Sequence, residues 1–284
     1  MTGMSLPSVL LLIPACNERA RIRPTLSEYA AYFRDHYQGP WEIVVVVNGS
    51  TDDTLDIVKQ MAGEFTNLRW IVIPERVGKG GALIEGLKLA SQAEVIGYAD
   101  ADAATTPESL LRLAALCQNY DCVVGSRRVA GSVIHQFQPS HRQFASKVFH
   151  LIVQVLFGMG IHDTQCGAKF LRREMVLKVH DQLLIADMAF DVNLLYAIKR
   201  AGGRIIEAPV DWTDHIGSTV SYFRTSLVMF LSVVRLRLFH SPCYRWLRPF
   251  SPLEAWVYRA LRNPPPRSSR SSNPPPLPEK PKAD

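Results

Sequence analysis

Short apolar runs recur along the first half of the chain: Val9–Ile13, Ile43–Val47, Trp70–Ile73, Val95–Ala99 and Cys122–Val124. Stretches of helical periodicity separate them: Pro24–Tyr37, Asp53–Phe65, Lys79–Ser91 and Pro107–Gln118. Runs such as Ile43–Val47 show no polar alternation, as strands covered on both faces do. Strands alternating with helices at this spacing predict an α/β fold: a mostly parallel sheet with helices on both faces. That architecture assigns no chemistry by itself.

The chemistry-bearing residues sit where the apolar runs stop. Asp100-Ala101-Asp102 follows the run at Val95–Ala99. Two carboxylates one residue apart repel each other unless a cation lies between them. Oxygen donors of this kind suit Mg²⁺ or Mn²⁺, which leave coordination positions open for phosphates. Ligands of open α/β sheets collect at the carboxyl ends of the strands, where this pair stands. A bare Asp-x-Asp is equally an acidic turn capping the helix at Pro107. Pro14-Ala15-Cys16-Asn17-Glu18 and Asn48-Gly49-Ser50-Thr51-Asp52-Asp53-Thr54 end the first two strands. Each alone reads as a turn and helix cap; three polar ends at one sheet edge are harder to dismiss.

Gly78-Lys79-Gly80-Gly81 is not a Walker loop, because neither Ser nor Thr follows the lysine, and no G-x-G-x-x-G follows the first strand. It reads as a tight turn opening a helix, a position that also places Lys79 near a phosphate.

Composition narrows the class. The chain has 284 residues, 47% hydrophobic and 20% charged, which suits one sizeable globular domain with extras. Five cysteines without a C-x-x-C pair read as reduced thiols in a cytosolic setting, and no secretory signal is read at the start. The formal charge of +6 is uneven. Beyond Asp214, nine Arg and two Lys stand against three acidic residues, a net +8 that leaves −2 for the rest. The basic quarter suggests an anionic surface as partner. That surface is either a membrane or nucleic acid, and the first half offers nucleic acid nothing.

Taken together, the three polar strand ends resemble those of the inverting family 2 glycosyltransferases of GT-A fold. Asp163-Thr164-Gln165-Cys166-Gly167-Ala168-Lys169-Phe170 is similar to a segment of the polyprenyl- and dolichyl-phosphate glycosyltransferases. Phe190-Asp191-Val192, Glu207-Ala208-Pro209-Val210-Asp211-Trp212 and Gly217-Ser218 follow in the same order. Asp-Ala-Asp-Ala-Ala-Thr looks more like the dolichyl-phosphate glucosyltransferases than the mannose enzymes, which often have a Gln where Ala104 stands. Two departures stand out. Asn48 occupies a position usually held by Asp, and Thr219 one where Lys often follows Gly-Ser.

The resemblance implies the following roles. Pro14, Ala15, Glu18, Asn48, Lys79, Asp100 and Ala101 bind the nucleotide sugar. Asp100 and Asp102 hold Mg²⁺ or Mn²⁺. Arg127, Arg142 and Ser146 bind the acceptor phosphate. Asp163 is a third catalytic candidate, as acceptor orienter, base or loop cap; Asp191 is ambiguous and could merely pair with an Arg. The implied reaction moves a hexose, glucose from UDP-glucose first, onto polyprenyl or dolichyl phosphate. A soluble or saccharide acceptor, mannose from GDP-mannose, and a binding protein without turnover are the alternatives.

Phe144–Met159 and Ser226–Phe239 are amphipathic and shorter than the roughly 18 apolar residues that span a bilayer. Both read equally as core helices. The second leads into Tyr244-Arg245-Trp246-Leu247-Arg248, a mixture suited to a membrane interface. The expected organisation is a transferase domain over 1–215, membrane-associating helices over 216–262 and a Pro/Ser-rich disordered tail over 263–284. Peripheral attachment to the cytoplasmic face of a membrane follows from that reading.

Overall fold

The computed structural model describes residues 6–135, 140–213 and 222–241, with side chains described from 145 and 227 onward in the last two of these segments' first helices. Gly217-Ser218-Thr219, the Tyr244–Arg248 cluster, the 263–284 tail and the side chain of Arg142 lie outside what is described.

The chain runs β1 (Val9–Ala15), α1 (Ile22–His36), β2 (Trp41–Asn48), α2 (Thr54–Glu64), β3 (Leu68–Ile73), α3 (Gly78–Gly86), β4 (Val95–Tyr98), α4 (Pro107–Leu116) and β5 (Cys122–Ser126). It continues through β6 (Val133–Ile134), α5 (Ser140–Phe157), β7 (Lys169–Arg172), α6 (Arg173–Val179), α7 (Phe190–Arg200), β8 (Ile205–Pro209), β9 (Asp211–Trp212) and α8 (Tyr222–Phe239). Each apolar run and each helical stretch read from the first half is present, with ends moved by a few residues. The end of the Lys79–Ser91 stretch tightens into a 3₁₀ turn over Leu87–Gln92.

The main sheet has seven strands in the order β3-β2-β1-β4-β7-β5-β8. All pairings are parallel except those of β7, which runs antiparallel to β4 and to β5. β6 and β9 form a separate parallel pair. The first-half pattern did not reveal β7, a four-residue strand that opens on a lysine.

Alternation along β1 builds two cores. Val9, Leu11 and Ile13 join Leu26, Tyr29 and Phe33 of α1, Val58 and Met61 of α2, and Leu110 and Leu113 of α4 on one face. Leu10 and Leu12 join Leu83 of α3, Val176 of α6, and Val192, Leu195 and Ile198 of α7 on the other. Burying each such side chain contributes about 1.5–3 kcal/mol, which is why β1 carries no polar residue along its length. α5 and α8 pack on this second face: Val153 and Phe157 of α5 and Val233 and Leu236 of α8 are buried. Both stretches are therefore core on one side, as one of the two readings had it.

β1 has β2 on one side and β4 on the other. The chain turns one way after β1 and crosses to the other side for β4, so the loops at their carboxyl ends part and leave a crevice.

Candidate active site

Three loops line that crevice. The loops after β1 and β2 are fastened together: Asn17 Oδ1 accepts from Thr51 N at 2.8 Å, and Glu18 N donates to Thr54 Oγ1 at 2.8 Å. Asp52 Oδ1 accepts from Thr54 N at 3.1 Å, an Asx turn just ahead of α2, whose N-cap Asp53 makes no side-chain cap bond. Asn48 is buried; its Nδ2 donates to Ala15 O at 3.1 Å and its Oδ1 accepts from Gly78 N at 3.2 Å. The amide thus joins β1 to the start of α3, a task that needs both a donor and an acceptor and that an Asp carboxylate cannot perform. Pro14 and Ala15 end β1 beside it.

The Asp100–Asp102 loop does not cap α4. Thr106 does, accepting from Ser109 N at 3.3 Å with Pro107 in the first turn. The aspartates are instead held up as a separate turn. Thr25 Oγ1 of α1 donates to Ala101 O at 3.0 Å, and Tyr29 Oη donates to Thr105 O at 2.8 Å. Asp102 Oδ1 accepts from Ala104 N at 3.1 Å across Ala103, which sits at φ 54°. That left-handed conformation costs a non-glycine residue roughly 1–2 kcal/mol, so the turn is imposed by its surroundings. Gly167 lies against Asp100 on the other side. A Cβ there would stand 1.9 Å from Asp100 Oδ2, so any larger residue would displace the Asp100 carboxylate.

Lys79 completes this corner. Gly78 opens α3 at φ 79°, a conformation open to glycine, and directs the next residue inward. Lys79 Nζ lies 2.7 Å from Asp100 Oδ1 and 3.8 Å from Asp191 Oδ2. Burial alone would push its ammonium pKa down, but Asp100 and Asp191 overcome that and raise it. Asp191 pairs with lysines and not with an Arg. Its Oδ1 accepts from Lys169 Nζ at 2.5 Å and from the Tyr98 hydroxyl, and it is fully enclosed. Burial raises its pKa, yet Lys169 and Lys79 hold the carboxyl below the usual range. Glu18 stands near with a pKa raised by burial, with Arg21 opposing and Asp102 and Asp100 adding to the rise.

The far side of the crevice is built from β5 and the 163–168 loop. Arg127 and Asp163 form a closed pair. Nε donates to Oδ2 at 2.7 Å, Nη2 to Oδ1 at 2.8 Å, and the Arg127 backbone N to Oδ2 at 3.0 Å. The guanidinium lies over the Trp212 ring at 4.7 Å. Burial pushes the Asp163 pKa up, but the hydrogen bonds and charge of Arg127 bring it below the usual range. Glu207 of β8 holds the loop, accepting from Asp163 N at 2.9 Å and His162 N at 2.8 Å. Ser146 accepts from Arg128 Nη2 at 2.9 Å, while Arg128 Nη1 donates to His162 O. Arg128 carries no motif in the sequence; its adjacency to Arg127 at a strand end is the available signal. Lys169, Tyr98, Thr25 and Trp212 likewise have no role that the sequence alone assigns.

The donor set fits a divalent cation. Asp100 and Asp102 offer hard oxygen ligands at a strand end. Among the described residues no group of three His, Cys, Asp or Glu side chains is placed to enclose a metal. Two carboxylates with further positions left to phosphate oxygens is the arrangement Mg²⁺ favours.

The sequence matches the family described as glycosyl transferase family 2 over residues 10–179. The chain belongs to that family. Its relatives include the dolichyl-phosphate β-glucosyltransferase of Mus musculus, 31% identical over 80% of this chain and 74% of that one. The enzyme of the same name from Dictyostelium discoideum is 29% identical over 80% of this chain and 73% of its own length. Among solved structures, glucosyl-3-phosphoglycerate synthase from Mycobacterium tuberculosis, in complex with Mn²⁺, UDP-glucose and phosphoglyceric acid, superposes with a TM-score of 0.64. It is 17% identical and covers 81% of this chain and 80% of that one. That likeness shows the GT-A fold. This family 2 member is a glycosyltransferase, and its crevice at the β1/β4 divergence is where the GT-A sheet presents its polar strand ends.

Proposed function

We propose that this glycosyltransferase moves glucose from UDP-glucose, with inversion, onto polyprenyl or dolichyl phosphate at a membrane surface. The observation that carries the acceptor class is the state of Asp163. Both its oxygens accept from one guanidinium, and its pKa is lowered. A carboxylate so engaged is a poor proton acceptor, which a sugar-hydroxyl acceptor would need. A phosphate monoester has its second pKa near about 6 and attacks as the dianion without a base. The names of the relatives support the same acceptor and glucose.

In the proposed reaction an acceptor phosphate oxygen forms a bond to the anomeric carbon from the side opposite the donor diphosphate. The bond to the diphosphate oxygen breaks, and the nucleoside diphosphate leaves with the electron pair. Asp100 and Asp102 would hold Mg²⁺ or Mn²⁺, which supplies charge neutralisation for the leaving diphosphate. Glu18, Asn48 and the loops after β1 and β2 shape the nucleoside side, Asn48 by fixing the β1–α3 junction. Arg127, oriented by Asp163 and Trp212, brings positive charge to the acceptor side, with Arg128 and Ser146 beside it. Arg142 belongs to the same helix as Ser146 and is assigned to the acceptor on sequence grounds.

Attachment to the membrane is proposed to be peripheral and on the cytoplasmic face. Among the described residues no helix is long and apolar enough to cross a membrane. α5 leaves Val148, Leu151 and Val155 in solvent at helical spacing, the last two 63% and 77% exposed. α8, packed beside it, exposes Leu227, Phe230 and Leu238. Apolar residues with the basic charge beyond Asp214 suit an anionic lipid surface.

The deciding experiment incubates the protein with a panel of nucleotide sugars, Mg²⁺ or Mn²⁺, and polyprenyl phosphate in anionic liposomes. UDP-glucose should give a glucosyl lipid phosphate. Transfer only to a water-soluble acceptor would overturn the acceptor class; preference for GDP-mannose would overturn the donor.

A further inference from the structure

We infer that Lys79 is an exchangeable counter-ion: it holds the Asp100 carboxylate until a divalent cation entering with the donor takes over that oxygen, and it then passes to the donor diphosphate. The inference rests on the nucleotide-sugar reading above and deepens it by giving the lysine two successive partners.

The geometry supports the exchange from both ends. Lys79 Nζ is within hydrogen-bond distance of Asp100 Oδ1, one of the oxygens a cation on the Asp100–Asp102 pair would use. An ammonium and a divalent ion on one carboxylate are in like-charge contact, so binding of the ion alone works against the lysine. A diphosphate resolves the conflict, because it offers Lys79 new anionic oxygens as it brings its own to the metal. Metal and nucleotide then favour each other's binding reciprocally. Lysine suits this role better than arginine: it is a point charge on a flexible stem with three rotatable donors.

Asp191 is the positioning residue that keeps Lys79 in the crevice during the exchange. Its Oδ1 is committed to Lys169 and Tyr98, and its Oδ2 stands 3.8 Å from Lys79 Nζ. Lys169 is itself fixed, donating also to Cys166 O at 2.7 Å. The deep carboxylate is thus immobile, whereas Asp100 is partly exposed at the crevice, with its side chain 31% accessible. Lys79 bridges one fixed anion and one that a ligand can reach.

The test is Mn²⁺ binding to the full chain, read by electron paramagnetic resonance with and without UDP, in wild type, Lys79→Gln and Lys79→Arg. Lys79→Gln should bind Mn²⁺ alone at least tenfold more tightly than wild type, and UDP should add less to its Mn²⁺ affinity. Lys79→Arg keeps the charge and should bind Mn²⁺ alone as weakly as wild type. Lys79→Met repeats the neutral test should Lys79→Gln not fold. Wild type that binds Mn²⁺ with UDP, alongside neutral variants no tighter for Mn²⁺ alone, overturns the counter-ion role while the donor reading stands. Wild type that binds no Mn²⁺ even with UDP overturns both.

Discussion

Lys79 and Arg127 stand at the same edge of one sheet, each bonded to an aspartate, yet the two corners are built for different tasks. Arg127 and Asp163 match fork to carboxylate, with a backbone N–H added and an aromatic ring beneath. Such a pair has one good geometry and little reason to leave it. Lys79 reaches two carboxylates, one enclosed and one open to the crevice. On the proposed reading, the acceptor side is set in place before ligand arrives, and the donor side is arranged to change partners. Charge alone does not distinguish the corners; the shape of the cation does.

The largest effect that can break this comparison is on stability. Arg127→Ala leaves Asp163, only 2% exposed, without its partner. Loss of one member of a buried pair costs about 3–5 kcal/mol. Urea unfolding should show it, and Arg127→Ala/Asp163→Ala together should recover part of it; a change below about 1 kcal/mol would mean the pair is as replaceable as a surface one. Next comes Asp102→Ala, which should cost at least a hundredfold in turnover, about 3 kcal/mol in barrier, with a smaller loss of stability than Arg127→Ala shows. Full activity in EDTA would remove the cation from the donor corner.

Gly167→Ala is subtler. Its methyl group would meet Asp100 Oδ2, a side-chain end able to swing aside. Mn²⁺ affinity measured with UDP should fall about tenfold, roughly 1.4 kcal/mol, with little change in stability. Unchanged affinity would show that Asp100 is not held in place by that approach. The smallest effect is on pH dependence. Asp163 and Asp191 both have lowered pKa values in the folded protein. The unfolded chain therefore takes up their protons first as pH falls, so their contribution is complete at neutral pH and fades below about pH 4. Urea midpoints measured across that window should decline in wild type and decline less in Arg127→Ala, where Asp163 has lost the partner that lowers it.

The parts legible in the sequence were those where burial and chemistry are local. Ile43–Val47 is apolar throughout because helices cover both faces of β2, and Asp100 and Asp102 advertise themselves by ending such a run. β7 was not legible: Lys169 opens it, and its charge is tolerated only because Asp191, far along the chain, lies beside it. Asp191 was ambiguous in the sequence, with an Arg partner as one reading, and its lysine partners were hidden for the same reason. Asn48 looked like a weakened nucleotide contact, and its two hydrogen bonds across the β1–α3 junction became visible only in three dimensions. Arg128, Trp212 and Thr25 act through neighbours that no spacing rule brings together. The Lys79 position was readable from the helix start, whereas its two carboxylate partners were not.

The place of β7 between β4 and β5 also governs how the chain assembles during synthesis. β2, β3 and β4 each find a sheet partner among segments already made. β5 has none when it emerges, because both its neighbours, β7 and β8, come later. Its fully buried residues must await two long loop closures, and non-local pairing of that kind is slow. Refolding followed by pulsed hydrogen exchange should protect the amides of β1, β2 and β4 before those of β5 and β8. Simultaneous protection across all seven strands would show the sheet closing in a single step. If β1, β2 and β4 are protected first, the crevice at their carboxyl ends is the older structure in every molecule's lifetime, and the β5 side a late addition to it.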